Sequence, residues 1–294
     1  MKSDLFRCIV RTAAMTAWAV PAVALLAACA GMGAASAPPG LGAERIAQII
    51  ASPDRSAADR ENDVRRKPAD MLAFIGVRPG MVAMDLSAAG GYTTELLARA
   101  VGLGGRVYGQ SRPPQAVPAA PAAPEGAAFP AARPAAPAAS APPPVRRTSS
   151  QALAARATNP AVANIVPVVR PFEDPAPPEV ASGGLDLVTL MFNYHDLGYS
   201  GVDRDRMNKA VFAALKPGGI YVIADHSGRP GTGISEAGTL HRIEQAFLRR
   251  EVEAAGFRLA GEGNFMRNPN DPRDRNTPEP PQPKDEFVLK FVKP

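Results

Sequence analysis

Cysteine is almost missing from this chain: there are two, Cys8 and Cys29, and both fall within the first thirty residues. The rest of the sequence therefore holds no disulfide, no thiolate metal ligand and no cysteine nucleophile. Histidine is nearly as scarce, with three in 294 residues and no H-x-x-x-H or comparable spacing, so the sequence predicts no metal site. A net charge of +5 suggests an acidic partner, but the arginines are scattered among alanine and proline. No basic helix face and no aromatic-interleaved strip is present, so no nucleic acid is expected. Residues 112–144 are almost devoid of large apolar side chains, which excludes them from any core.

What remains divides by composition. The 32 prolines are concentrated in a few runs that cannot pack, leaving material for one folded domain of about 200 residues. Residues 1–37 begin with Lys2, Arg7 and Arg11, continue through an apolar run and end in small residues, the pattern of an export signal. The run is too short and alanine-rich for a lasting membrane span. Within it Leu26, Ala27, Ala28 and Cys29 resemble the lipobox of bacterial lipoproteins, in which the cysteine is lipidated and becomes the first residue. The competing reading is ordinary cleavage after Ala35-Ser36-Ala37. Ala30, where an inner-membrane retention signal tends to place aspartate, favours the outer membrane. The expectation is a periplasmic, outer-membrane-anchored lipoprotein whose membrane partner is held through Cys29. Residues 38–111 then form the N-terminal helices and the first half of a domain. Residues 112–147 are a Pro/Ala-rich insert expected to be disordered, and 148–294 complete the domain.

The stretch 81–95, MVAMDLSAAGGYTTE, organises the folded part. An apolar run ends in Asp85, a small-residue turn follows, and a helical pattern opens at Thr93. That is a strand, a tight loop and a helix N-terminus. Helices are expected over 44–50, 59–75 (with Pro68 as a first-turn residue), 150–157, 204–215 and 239–255. Strands are expected at 81–86, 106–109, 165–169, 185–192, 220–224, 257–262 and 286–292. LDLVTLMF at 185–192 is an unbroken apolar run, as a central parallel strand covered on both faces requires. It leads into Asn193, Tyr194, His195 and Asp196, while Asp225 and His226 follow strand five. Ligands of doubly wound sheets bind beyond the carboxyl ends of the strands, so these residues stand where a substrate would be. The polar stretch 264–285 is long for a hairpin and is expected to reach over the site.

The DLSAAGG turn resembles motif I of class I S-adenosylmethionine (SAM) dependent methyltransferases, with Ser87, Ala89 and Gly91 at the three glycine places. "LKPGG" at 215–219, "VEAAGF" at 252–257 and "DEFVLKF" at 285–291 extend the resemblance to a family of bacterial methyltransferases, many of them exported. The implied fold is α/β and Rossmann-like: a seven-stranded, mostly parallel sheet with the last strand antiparallel and helices on both faces. The implied cofactor is SAM. It would be held by Asp85, Ser87, Ala89, Gly91 and Tyr92, with Gln110 at the ribose where relatives carry an acid, Glu173 or Asp174 at the adenine, and Asn193 near the methyl group. The implied partner is a small-molecule acceptor.

Methyl transfer needs the nucleophile in line with an activated carbon, and a base only when that nucleophile arrives protonated. His195 and His226 are the candidate bases, with Asp196 or Asp225 as orienting partners. His241 is read as a surface residue on the first turn of a helix. A non-catalytic binding lipoprotein on the same fold is the alternative. Ser87, Ala89 and Gln110 replace residues that shape the SAM pocket, and SAM is made in the cytoplasm. Ser87 and Ala89 are compatible with the loop if its backbone avoids positive φ. The lipobox yields the first test: Cys29→Ser should move the protein from the membrane fraction to the soluble one. An unlipidated N-terminus at Pro38 in mass spectrometry would refute the anchor.

Overall fold

The apolar runs form one sheet in the computed structural model, which describes residues 40–113 and 147–294. The signal segment with Cys29 and almost all of the Pro/Ala insert lie outside the described residues. Chain order is α1 (Ala43–Ile50), α2 (Ala57–Arg66), α3 (Pro68–Ile75), β1 (Val82–Leu86), α4 (Tyr92–Val101), β2 (Arg106–Ser111), α5 (Ser149–Ala157) and β3 (Ile165–Val169). It continues with β4 (Leu185–Met191), α6 (Arg204–Ala214), β5 (Leu215–His226), α7 (Ala237–Leu240), α8 (Gln245–Ala254), β6 (Arg258–Gly263) and β7 (Glu286–Val292).

The strands lie in the order β3-β2-β1-β4-β5-β7-β6. Those from β1 to β5 are parallel, and β7 runs antiparallel between β5 and β6. β4 takes the central place its composition dictates, between β1 and β5, with Leu185, Leu187, Val188 and Leu190 fully buried. Apolar clusters fill both faces, one around Leu190, Ile223 and Phe291 and the other around Leu97, Leu187 and Val222. The chain winds outward from β1 in one direction and from β4 in the other. A crevice therefore opens above the β1–β4 boundary, at the carboxyl ends of both strands.

Caps mark several helix starts. Ser56 accepts from the Asp59 amide, Asp203 from the Arg206 amide, and Thr148 with Gln151 forms a capping box that restarts the chain after the insert. Three expectations need correction. The helix read over 59–75 is two helices, because Pro68 cannot continue α2; Lys67 turns left-handed at φ 44° and Pro68 starts α3. The fifth strand begins at Leu215 rather than 220, with the Lys-Pro-Gly-Gly turn absorbed as a bulge where Gly218 takes φ 74°. The helix read over 239–255 is broken after Leu240. Arg242 is fully buried there and donates to the Ser227 carbonyl at 3.0 Å and the Arg275 carbonyl at 3.1 Å, with Asp271 2.8 Å away, which pulls its backbone out of helical register.

Ser87 and Ala89 sit at φ 55° and 48°, so the loop keeps a glycine-type backbone at two places that hold no glycine. The condition on which those substitutions would be harmless is not met. A left-handed residue with a Cβ costs about 1–2 kcal/mol, partly offset by the smaller unfolded-state entropy of alanine. Ala89→Gly should therefore stabilise the fold by about 0.5–1 kcal/mol. A urea midpoint that rises at constant slope is the expected result; a lower midpoint would show that the strain is compensated.

Candidate functional site

The loop after β1 is fixed by hydrogen bonds from both sides. Asp85 is buried and its carboxylate accepts from Thr94 Oγ1 at 2.7 Å and Thr189 Oγ1 at 2.8 Å, which ties β1 to α4 and β4. Burial pushes its pKa up to about 6, against the pull of these two hydroxyls. Gln110, fully buried at the end of β2, accepts from the Ser87 amide at 3.0 Å and donates to the Arg170 carbonyl at 2.7 Å. Its side-chain amide braces the loop and does not line the cavity above it.

That cavity has a volume of about 370 Å³ and is lined by Ser87 and Ala89 from the first loop, Ser111 from β2, Phe172 after β3, and Asn193 and Asp196 after β4. It lies at the point where the strand order reverses, and its size suits part of a small ligand. Ser111, Phe172 and Tyr199 were not singled out from the sequence. Only their position at a strand end or in the loop beyond one marked them.

The other cofactor candidates sit elsewhere. Gly91, at φ 82°, lies beneath α5; a Cβ there would come within 2.8 Å of Leu153 and 2.9 Å of Arg156. Arg156 is clamped over the loop, donating to the Gly90 carbonyl at 2.6 Å, to both oxygens of Asp59 at 2.6 and 2.9 Å, and to Glu95. A bulky side chain at Gly91 therefore collides with the protein itself. Tyr92 turns toward α2 and donates to Asp63 at 2.7 Å. Glu173 accepts from the Asp203 amide at 3.1 Å, and Asp174 is paired with Arg170. Neither of these two acids lines the cavity.

The residues after β4 and at the end of β5 do come together, as their strand positions imply. His195 is buried with its ring Nδ1 2.5 Å from Asp225 Oδ1 and its Nε2 3.1 Å from Asp196 Oδ1, while its backbone N–H donates to Asp225 Oδ2 at 2.8 Å. Burial disfavours the imidazolium, but the hydrogen bonds to Asp196 and Asp225 outweigh it and raise the pKa to about 9. His195 is therefore protonated in neutral solution, which removes it from the role of general base there. Asp196 is correspondingly held below the usual carboxylate range. Burial opposes this, but the bonds from His195, Tyr199 and His241 prevail.

His226 behaves in the opposite way. Burial lowers its pKa to about 3, so it is neutral, and it opens onto a second cavity of about 970 Å³ bordered by Arg65, Lys67, Arg267 and Lys284. Its Nδ1 lies 3.0 Å from Glu286 Oε1 but out of line for a hydrogen bond. The Glu286 carboxyl is pushed up to about 7, mainly by burial. His241 corrects its expectation. It ends α7 in a left-handed conformation at φ 51°, and its Nδ1 lies 3.2 Å from Asp196 Oδ1, edge-on to the His195 ring.

This geometry sets the cost of removing His195. Asp225 has no solvent exposure, and without the imidazole its hydrogen-bond partners among the described residues are backbone groups, the amides of His195 and His226. His195→Ala should destabilise the protein by about 3 kcal/mol, the lower end of the range for an orphaned buried charge. Urea unfolding at neutral pH measures this; a loss below about 1 kcal/mol, within the ordinary range for point substitutions, would show the pair to be structurally idle.

No protein-family model matches the chain, and no curated protein matches it. Solved structures do. A SAM-dependent methyltransferase from Aquifex aeolicus superposes with a TM-score of 0.50 at 14% identity, covering 86% of this chain and 100% of that one. The [4+2]-cyclase SpnF superposes with a TM-score of 0.50 at 14% identity, covering 81% of each chain. At such identities the likeness bears on architecture alone. With its strand order and antiparallel β7, the chain has the Rossmann-like fold of the class I methyltransferases.

Proposed function

We propose that this protein binds SAM in the cavity at the β1–β4 crevice and transfers its methyl group to a small-molecule acceptor. The observation that carries the reading is the coincidence of two features. The strand order reverses between β1 and β4, and a cavity lined by the loops after β1, β2 and β4 lies there. Two of the solved structures with which the chain shares its fold support the reading at the level of architecture, one of them named as a SAM-dependent methyltransferase. Fold does not by itself name chemistry, so the reading rests on the site.

In this reading the cofactor meets Ser87 and Ala89 on one side and Ser111 on the other, with its methyl group toward Asn193 and Asp196. The protein's contribution is positioning. An imidazolium at His195 and a weakly basic imidazole at His226 make poor proton acceptors at neutral pH, so the acceptor would arrive with a lone pair available. We also propose export and anchoring through Cys29, which would set the enzyme outside the cytoplasm. The alternative, a binding lipoprotein on this fold, draws on the commitment of Gln110 to the loop.

Isothermal titration of SAM into the full chain, with Ser111→Phe as the paired variant, decides between them. Ser111 borders the cavity from a strand end, and among the described residues its hydroxyl has only a 3.4 Å contact to the Val168 carbonyl to lose, so the phenylalanine fills space without removing a strong bond. Binding by the wild type and a loss of at least about 100-fold in the variant, some 2.7 kcal/mol, are expected. No heat from a folded wild type would favour the binding lipoprotein and withdraw SAM.

A further inference from the structure

Three candidate ligands converge beside the cavity. His195 comes from the turn after β4, Asp196 follows it in the chain, and His241 comes from the distant end of α7. Their ligating atoms all lie within 4.8 Å of one another. Asp196 Oδ1 is 3.1 Å from His195 Nε2 and 3.2 Å from His241 Nδ1. Bonds of about 2.0–2.2 Å from zinc to nitrogen and oxygen place neighbouring ligand atoms about 3.0–3.5 Å apart, so two edges of a coordination shell already have the required length. The third edge, between the two imidazoles, can close by rotation of the partly exposed His241 ring.

The surroundings are those that hold metal ligands in place. A ligating histidine ordinarily donates its other ring N–H to a carboxylate, which fixes the tautomer and aims the remaining lone pair at the ion. Asp225 does this for His195, 2.5 Å from Nδ1, leaving Nε2 to face Asp196. Asp196 is oriented in turn by Asn193 Nδ2, which donates to its Oδ2 at 2.7 Å, and by the Tyr199 hydroxyl at 2.7 Å from Oδ1. Asp196, Asn193 and Tyr199 all line the 370 Å³ cavity, so further coordination positions would open toward a ligand there. Two imidazoles and one carboxylate suit zinc and the neighbouring first-row divalent ions. Magnesium and calcium prefer shells built from oxygen.

We propose that His195, Asp196 and His241 form a binding site for a divalent first-row transition metal ion, with Asp225 as the positioning residue behind His195. The site stands whether or not the protein transfers a methyl group, because its test reads metal alone.

The experiment titrates Zn²⁺, and separately Mg²⁺, into the tag-free full chain after chelator treatment. Isothermal titration reports stoichiometry and affinity, and Co²⁺ in place of zinc gives visible absorption bands from the ligand field. One zinc per chain and no comparable magnesium binding are expected. His241→Ala, on a partly exposed side chain, should weaken zinc by at least about 100-fold while leaving the melting curve in place, and Asp225→Asn should weaken it by about 10–100-fold. Asp196→Asn serves as a second ligand variant should His241→Ala fold poorly. No zinc bound by the folded wild type, or equal affinity in wild type and the folded ligand variant, would overturn the site and leave the cluster as an internal ion-pair network.

Discussion

The buried carboxylate of Asp85 is the constraint on which the rest of the architecture turns. It stands at the end of β1, where the sheet reverses direction, and both of its oxygens are taken by threonine hydroxyls from α4 and β4. Removing such a group from water favours its protonated form, which is why its pKa rises to about 6. The folded state therefore holds a proton there that the unfolded chain has already lost between about pH 4 and 6, and this residue's contribution to stability falls as pH rises through that window. Above it the ionised carboxylate is a cost, offset in part by the two hydroxyls. What that cost sustains is a fixed separation between the loops of β1 and β4, hence the cavity between them.

The same logic repeats on the far side of β4. Asp225, at the end of β5, is also fully buried and organises the turn after β4 through the His195 ring and the His195 amide. Two aspartates at the ends of the strands that flank β4 thus set the walls of the crevice, one satisfied by neutral hydroxyls and the other by an imidazole. The difference matters for chemistry. The first gives a loop of fixed shape, whereas the second gives a cluster that requires a cation, either the proton on His195 or an ion shared with Asp196 and His241.

Much of this was legible in the residues. Ile165–Val169 and Glu286–Val292 coincide with their sequence readings, and LDLVTLM is the central strand its unbroken apolar run requires. Asn193, His195, Asp196, Asp225 and His226 were placed together because strand ends share an edge of the sheet. Contacts between segments far apart in sequence were not legible. Nothing in the local pattern at 239–255 shows that Arg242 would be buried against Asp271 and break the helix, although that break is what delivers His241 to Asp196. Periodicity likewise cannot reveal that Gln110 spends its amide on the Ser87 loop, or that Arg156 closes α5 over Gly91. The backbone angles of Ser87 and Ala89 are set by the loop's closure and override the preference of those side chains.

The central claim is that the β1–β4 crevice holds the cofactor, and a crystal structure of the full chain grown with S-adenosylhomocysteine tests it most directly. The account predicts ligand density between Ser87, Ser111 and Asn193, with the thioether sulfur directed toward Asp196. Density confined to the larger cavity bordered by Arg65, Arg267 and Lys284, with the crevice filled only by solvent, would contradict it.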